Sequence, residues 1–161
     1  MREVTIFGKR FSIIKQKSSR DSVEVRDDKI LVNECEKTAE SLIKEFLADK
    51  LYHQLLQIYK EIEGERKVEV LGDLDFEIVE SIDNKRQRIA KIKGGKILVK
   101  LNAVVLPKPI LRYVIAHEIA HIFTKRHTER FWEIIKKICP NFQTDQKSLM
   151  EYEKILVKPI A

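Results

Sequence analysis

Cysteine is scarce in this chain of 161 residues. Cys35 and Cys139 lie far apart and neither has a C-x-x-C neighbour. They leave room for at most one disulfide and fit a reducing setting. Long apolar runs are missing as well. No stretch approaches the length that spans a bilayer, and Met1-Arg2-Glu3 does not open the apolar core of a signal peptide. The expectation is a cytoplasmic protein that enters no membrane. Acidic residues are absent from Asn84 through Ala116, and no aromatic residue falls between Lys85 and Arg112. The second absence argues against a platform that stacks single-stranded bases. Histidine is rare too, with four in the whole chain. Three of the four are His117, His121 and His127.

That concentration is the main feature of the sequence. His117-Glu118-Ile119-Ala120-His121 places two imidazoles at i and i+4, which share one face of a helix. Ile110, Leu111, Val114, Ile115, Ile119, Ile122 and Phe123 supply the apolar side of a 3.6-residue period around it. Positions 110, 114, 117 and 121 continue one stripe, so the histidines replace apolar residues where the helix meets the protein body. H-E-x-x-H is the arrangement of zinc hydrolases, with two ligands and a general base, here Glu118. His127 is the candidate third ligand. A continuous helix would turn it to the wrong side, but Thr128 can cap a fresh helix whose buried face is Phe131, Ile134, Ile135 and Ile138. Glu129 and Glu133 compete for the same role. As ordinary side chains, these histidines would only exchange hydrogen bonds. The fourth, His53, reads as a surface residue.

The remaining chain divides into four parts of a single expected domain. Residues 1–33 form a β-rich lobe, with Val4–Phe7 and Phe11–Lys15 separated by a turn at Gly8. Val23–Arg26 and Lys29–Val32 flank Asp27-Asp28 as a hairpin, and a small antiparallel sheet is expected. Residues 34–63 form one long helix, with Asn33 as N-cap, Glu36 completing a capping box and Gly64 as the stop, and its unusual length leaves room for a bend or break near Ala48 to Tyr52. Residues 67–106 return to strands: Val68–Leu71, Asp75–Ile82, and the arms Arg86–Lys93 and Lys96–Leu101. Gly94-Gly95 between those arms suits a type I′ turn. Residues 107–161 hold the motif helix, opened by Pro107 and Pro109, and the helix that stops at Cys139-Pro140. A last helix, about Gln146 to Leu156, is capped by Asp145 and has no expected chemistry.

The formal net charge is +6, and its placement is informative. Nine basic residues and no acid occupy the 85–112 tract. Its simpler reading is a solvated sheet edge whose lysines discourage edge-to-edge pairing. Its sharper reading is an electropositive approach to the motif for nucleic acid, nucleotide phosphates or an acidic peptide.

Several residues outside the pentapeptide strengthen the motif. Leu101-Asn102, Pro107, His117-Glu118-x-x-His121, His127-Thr128, Phe131-Trp132 and Pro140 together resemble the signature of the YgjP-like metal-dependent hydrolases. That group is similar to the SprT-like and WLM metallopeptidases. The resemblance implies an α+β zincin-like core, with the H-E-x-x-H helix packed on an antiparallel or mixed sheet. It implies Zn²⁺ on His117, His121 and His127, with Glu118 as general base, and a peptide as substrate. Nucleotides or other phosphate-containing substrates are the alternative, and a non-enzymatic metal-containing binding module is the third reading. An intact Glu118 counts against the third, since a closed structural site has no need of a base. One departure stands out: Arg86-Gln87-Arg88-Ile89-Ala90-Lys91 replaces the family's R-W-G-S-C-S-like stretch. Substrate recognition is where this chain is expected to differ.

Overall fold

Residues 2–68, 74–85 and 88–156 are described in a computed structural model of the chain. Two hairpins build the N-terminal lobe. Strands β1 (Arg2–Ile6) and β2 (Lys9–Lys17) pair antiparallel across Phe7 and Gly8, both with left-handed φ (50° and 86°). Two successive positive φ values match the right-handed twist of the flanking strands. Strands β3 (Ser22–Arg26) and β4 (Lys29–Glu34) pair antiparallel around Asp27-Asp28, as expected. The hairpins join through a parallel β2–β4 contact in the order β1-β2-β4-β3, so the lobe is mixed rather than wholly antiparallel. Burial explains the crossover: β4 carries Ile30 and Val32, both without solvent exposure, and so takes an interior place.

Helix α1 (Ala39–Glu65) starts later than Asn33. Thr38 is its N-cap, with Oγ1 accepting the Ser41 N–H. Asn33 instead belongs to β4, where its Oδ1 accepts from Gln16 and its Nδ2 donates to Ser22 Oγ. Backbone donors just ahead of the helix, on Cys35, Glu36 and Lys37, are taken up by the Asp21 carboxylate. The helix then runs unbroken for 27 residues, about 40 Å at 1.5 Å per residue. Leu47, Leu51, Leu55 and Ile58 form its fully buried stripe. Gly64 lies inside its last turn, and the left-handed stop is Arg66 (φ 52°), whose N–H reaches Glu63 O. His53 is exposed on this helix, with Nδ1 2.9 Å from Asp49 O.

The second sheet contains β5 (Asp75–Val79), β6 (Ala90–Lys93) and β7 (Lys96–Lys100), in the order β5-β7-β6. β5 pairs parallel with β7, and β6 pairs antiparallel with it. Only Gly94 of the glycine pair has a left-handed φ, 63°, which is the pattern of a type II′ turn rather than I′. The strand expected over Val68–Leu71 falls largely outside the described residues, as do Arg86 and Gln87.

A 3-10 turn, Leu101–Val105, leads into α2 (Lys108–Phe123), followed by α3 (Glu129–Ile138) and α4 (Phe142–Leu156). The β1–β2 turn docks here, with Phe7 N–H on Val104 O and Gly8 N–H on Val105 O. A Cβ on Gly8 would lie 3.2 Å from Pro107 Cγ, so a left-handed glycine is needed to hold the lobe against the start of the motif helix. α4 begins at Phe142, which leaves Asp145 in its first turn rather than capping it. One hydrophobic cluster joins the layers through Ile30, Leu51, Ile97, Ile115 and Phe131. Among the described residues, no helix is long and apolar enough to cross a membrane.

Candidate metal centre

Helix α2 begins where proline is tolerated, with Pro107 as N-cap and Pro109 in the first turn. Ile110 and Val114 are buried along the stripe that His117 and His121 continue, and Ile115, Ala116, Ile119 and Ala120 seal the other contacts. Ile122 departs from the expected apolar side and is exposed, because the helix ends at Phe123 beyond the core that covers its earlier turns. Thr124 then turns extended, and its N–H still reaches Ala120 O. Thr128 opens α3 by accepting the Phe131 N–H on Oγ1 at 3.4 Å. The short link between these two events swings His127 back over the end of α2.

Three imidazoles therefore converge, with ligand atoms all within 4.8 Å of one another. The His121 and His127 Nε2 atoms are 3.3 Å apart. Zinc–nitrogen bonds of about 2.0–2.1 Å meeting at a tetrahedral angle put neighbouring ligand atoms about 3.3–3.4 Å apart. The three-imidazole donor set can hold a metal ion, and the His121–His127 spacing is that of neighbouring ligands on one ion. Glu129 and Glu133 are not in the cluster; they line a separate groove with Trp132 and Lys136. The ring of Phe131, which has no solvent exposure, supports all three histidines from below. Its centroid lies 5.2 Å from His117, 4.8 Å from His121 and 4.5 Å from His127, stacked on the last.

Glu118 is buried, and its Oε2 lies 3.1 Å from His117 Nδ1. A proton on Nδ1 donates to that carboxylate and leaves the Nε2 lone pair for a metal. Burial lowers the pKa of His121, His117 and His127 lower it further, and Glu118 opposes them. The net effect favours the neutral imidazole that coordinates metal.

The cluster opens into a cleft of about 560 Å³. Tyr113 and Val114 of α2 line it with the histidines and Glu118, and Arg88, Ile89 and Ala90 form the side toward the second sheet. Gln146, Leu149 and Met150 of α4 close it opposite, so this helix has a place at the site that the sequence reading did not assign. Their i, i+3, i+4 spacing was the available signal. Burial pushes the Tyr113 hydroxyl up to about 12, with Cys139 and Asp145 adding to the effect, so it stays protonated.

The basic tract is mostly engaged elsewhere. Lys91 pairs with Asp83 at 2.8 Å, Lys96 with Glu77, Lys108 with Glu61 and Arg112 with Glu65. Lys100 is buried and donates to Lys85 O. Of the tract's described basic residues, Arg88 alone lines the cleft.

An α+β fold with a helix-borne histidine site beside a mixed sheet defines a zincin-like core, spaced as in the H-E-x-x-H metallohydrolases. The chain belongs to the YgjP-like family, whose model (YgjP-like, metallopeptidase domain) matches residues 1–152. It is also similar to the UTP pyrophosphatase of Escherichia coli (strain K12), at 24% identity over 79 residues. That alignment covers 45% of this chain and 47% of the relative, so the chain spans about half the length of the curated protein it matches. No solved structure matches it.

Proposed function

We propose that the whole chain is one zinc-dependent hydrolase domain, with His117, His121 and His127 as ligands and Glu118 as general base. The observation that carries this is the convergence of three imidazoles and one buried carboxylate at the floor of a cleft. Zinc held by these three imidazoles would supply Lewis-acid polarisation of a substrate oxygen and activation of water near neutral pH. Glu118 takes the proton of the attacking water and returns it to the leaving group. Phe131 keeps the imidazoles in place, and Leu149 and Met150 supply apolar lining to the cleft.

The bond we assign first is a peptide bond. β6 pairs only with β7 among the described strands, so its other edge is open. Lys100 N–H bonds Ile89 O, which turns the N–H and C=O of Ala90 away from β7; the C=O accepts from Arg88 Nε, and the N–H faces the open edge. An extended peptide can add to that edge beside Glu118. A second reading, hydrolysis of a nucleotide phosphoanhydride, is favoured by the similarity to a UTP pyrophosphatase and by Arg88 in the cleft. The ion pairs of the 85–112 tract leave less free charge for nucleic acid than its composition suggested. An unstructured protein and a set of nucleoside triphosphates, each incubated with zinc-loaded protein and analysed for products, separate the two readings. Glu118→Gln should retain zinc and lose turnover on whichever substrate is cleaved. Full turnover by that variant would sink the proposed role of Glu118.

A further inference from the structure

We infer that Arg88 is an anion receptor in the cleft, and that the substrate carries a phosphate or carboxylate beside the bond that is broken. The inference rests on the hydrolase reading above and adds the chemical class of substrate. Three observations point to it. Among the described residues, Arg88 is the one cationic side chain of Lys or Arg type lining the cleft, and Glu118, engaged with His117, is the one carboxylate there. The Arg88 side chain is exposed, and its Nε donates to Ala90 O at 3.3 Å, which directs the guanidinium along the cleft's sheet side. Its two Nη groups make no hydrogen bond or ion pair among the described residues.

The neighbouring charges reinforce the assignment. Asp83 senses Arg88 through space, but closes its own ion pair with Lys91 at 2.8 Å. The guanidinium therefore keeps a planar pair of donors for an incoming ligand, and such a fork matches the paired oxygens of phosphate or carboxylate. Arg88 would hold the anionic group while the floor of the cleft acts on the adjoining bond. Neutral substrates would bind without this contact.

The test compares the native protein, Arg88→Gln and Arg88→Lys by calorimetry, with inorganic pyrophosphate as one probe. The second probe is a pair of peptides that differ only in a C-terminal carboxylate or amide. Zinc content is measured on every sample, and pyrophosphate is titrated with and without zinc. Loss of a charged hydrogen-bonded contact should weaken the anionic probe roughly tenfold to a hundredfold in Arg88→Gln. Arg88→Lys should recover part of that loss as a point charge. Weakening confined to pyrophosphate assigns a phosphate; lost preference for carboxylate over amide assigns a carboxylate. Unchanged binding of both probes at full zinc content overturns the proposal, and so does loss of zinc from Arg88→Gln. Absence of zinc from the native chain removes the hydrolase reading instead, and Arg88-dependent binding of pyrophosphate in that sample would keep the receptor.

Discussion

Phe131→Ala separates the stabilising work of a core residue from its work at the metal centre. Phe131 is fully buried in the main cluster and also lies 4.5–5.2 Å from each imidazole. Truncating a buried phenylalanine costs about 3–5 kcal/mol in lost transfer energy and residual cavity. For a domain of this size each kcal/mol moves Tm by roughly 2–4 °C, so a fall of roughly 6–20 °C is expected in metal-free protein. The second effect is specific to this site. With the ring gone, His127 loses its stacking surface and the other two lose a wall, so the ligands must be ordered when metal binds. Losing an outer-shell hydrogen-bond partner of a ligand typically weakens metal 10–100-fold, and loss of this apolar brace is expected to weaken metal at the proposed site toward the lower end of that range. Thermal unfolding followed by circular dichroism reads the first quantity, and competition with a chelating dye reads the second. A drop in Tm of the expected size with unchanged zinc affinity would refute the bracing role and leave Phe131 as core only.

Two further outcomes are expected. Cys35 is exposed, whereas Cys139 is buried and burial pushes its thiol up to about 11, with Asp145 adding to the rise. At pH 8, iodoacetamide should therefore label Cys35 in the native protein and Cys139 only after unfolding, as mass spectrometry will read; rapid native labelling of Cys139 contradicts its placement. Asp75 is held below its ordinary pKa, first by the Phe76 N–H and then by the Tyr52 hydroxyl, which donates at 2.9 Å. Because the folded pKa is lowered, its contribution is present above the unfolded value of about 3.9 and is lost as pH falls through the folded value. Asp75→Asn should lower stability at neutral pH and narrow its deficit in acid; a pH-independent deficit in denaturant titrations contradicts the linkage.

What the sequence revealed well was local. The H-E-x-x-H spacing, the Thr128 cap and the apolar face of α3 depend on neighbours within one or two turns, and the structure has them where the periodicity placed them. The prolines likewise announced the start of α2. Errors at helix ends came from competition among capping groups. Asn33 has a capping side chain, but cross-strand bonds to Gln16 and Ser22 engage it, and Thr38 caps five residues later. Strand order was not legible, because the parallel β2–β4 and β5–β7 contacts are settled by which strands bury most surface. The cleft was legible on one side only. Arg88 was visible as charge, but which lysines and arginines are neutralised depends on partners such as Glu61 and Glu65, distant in sequence. The α4 wall was missed because an amphipathic helix shows that one face is covered and not what it covers.

The proposed site holds one metal between the pair on α2 and His127. Elemental analysis of protein purified without added metal and then supplied with zinc, native against His127→Ala, tests it most directly. About one zinc per native chain is expected, as a single three-histidine site requires, with a sharp fall in the variant. Full retention of zinc by His127→Ala, or no zinc in the native chain, would contradict it.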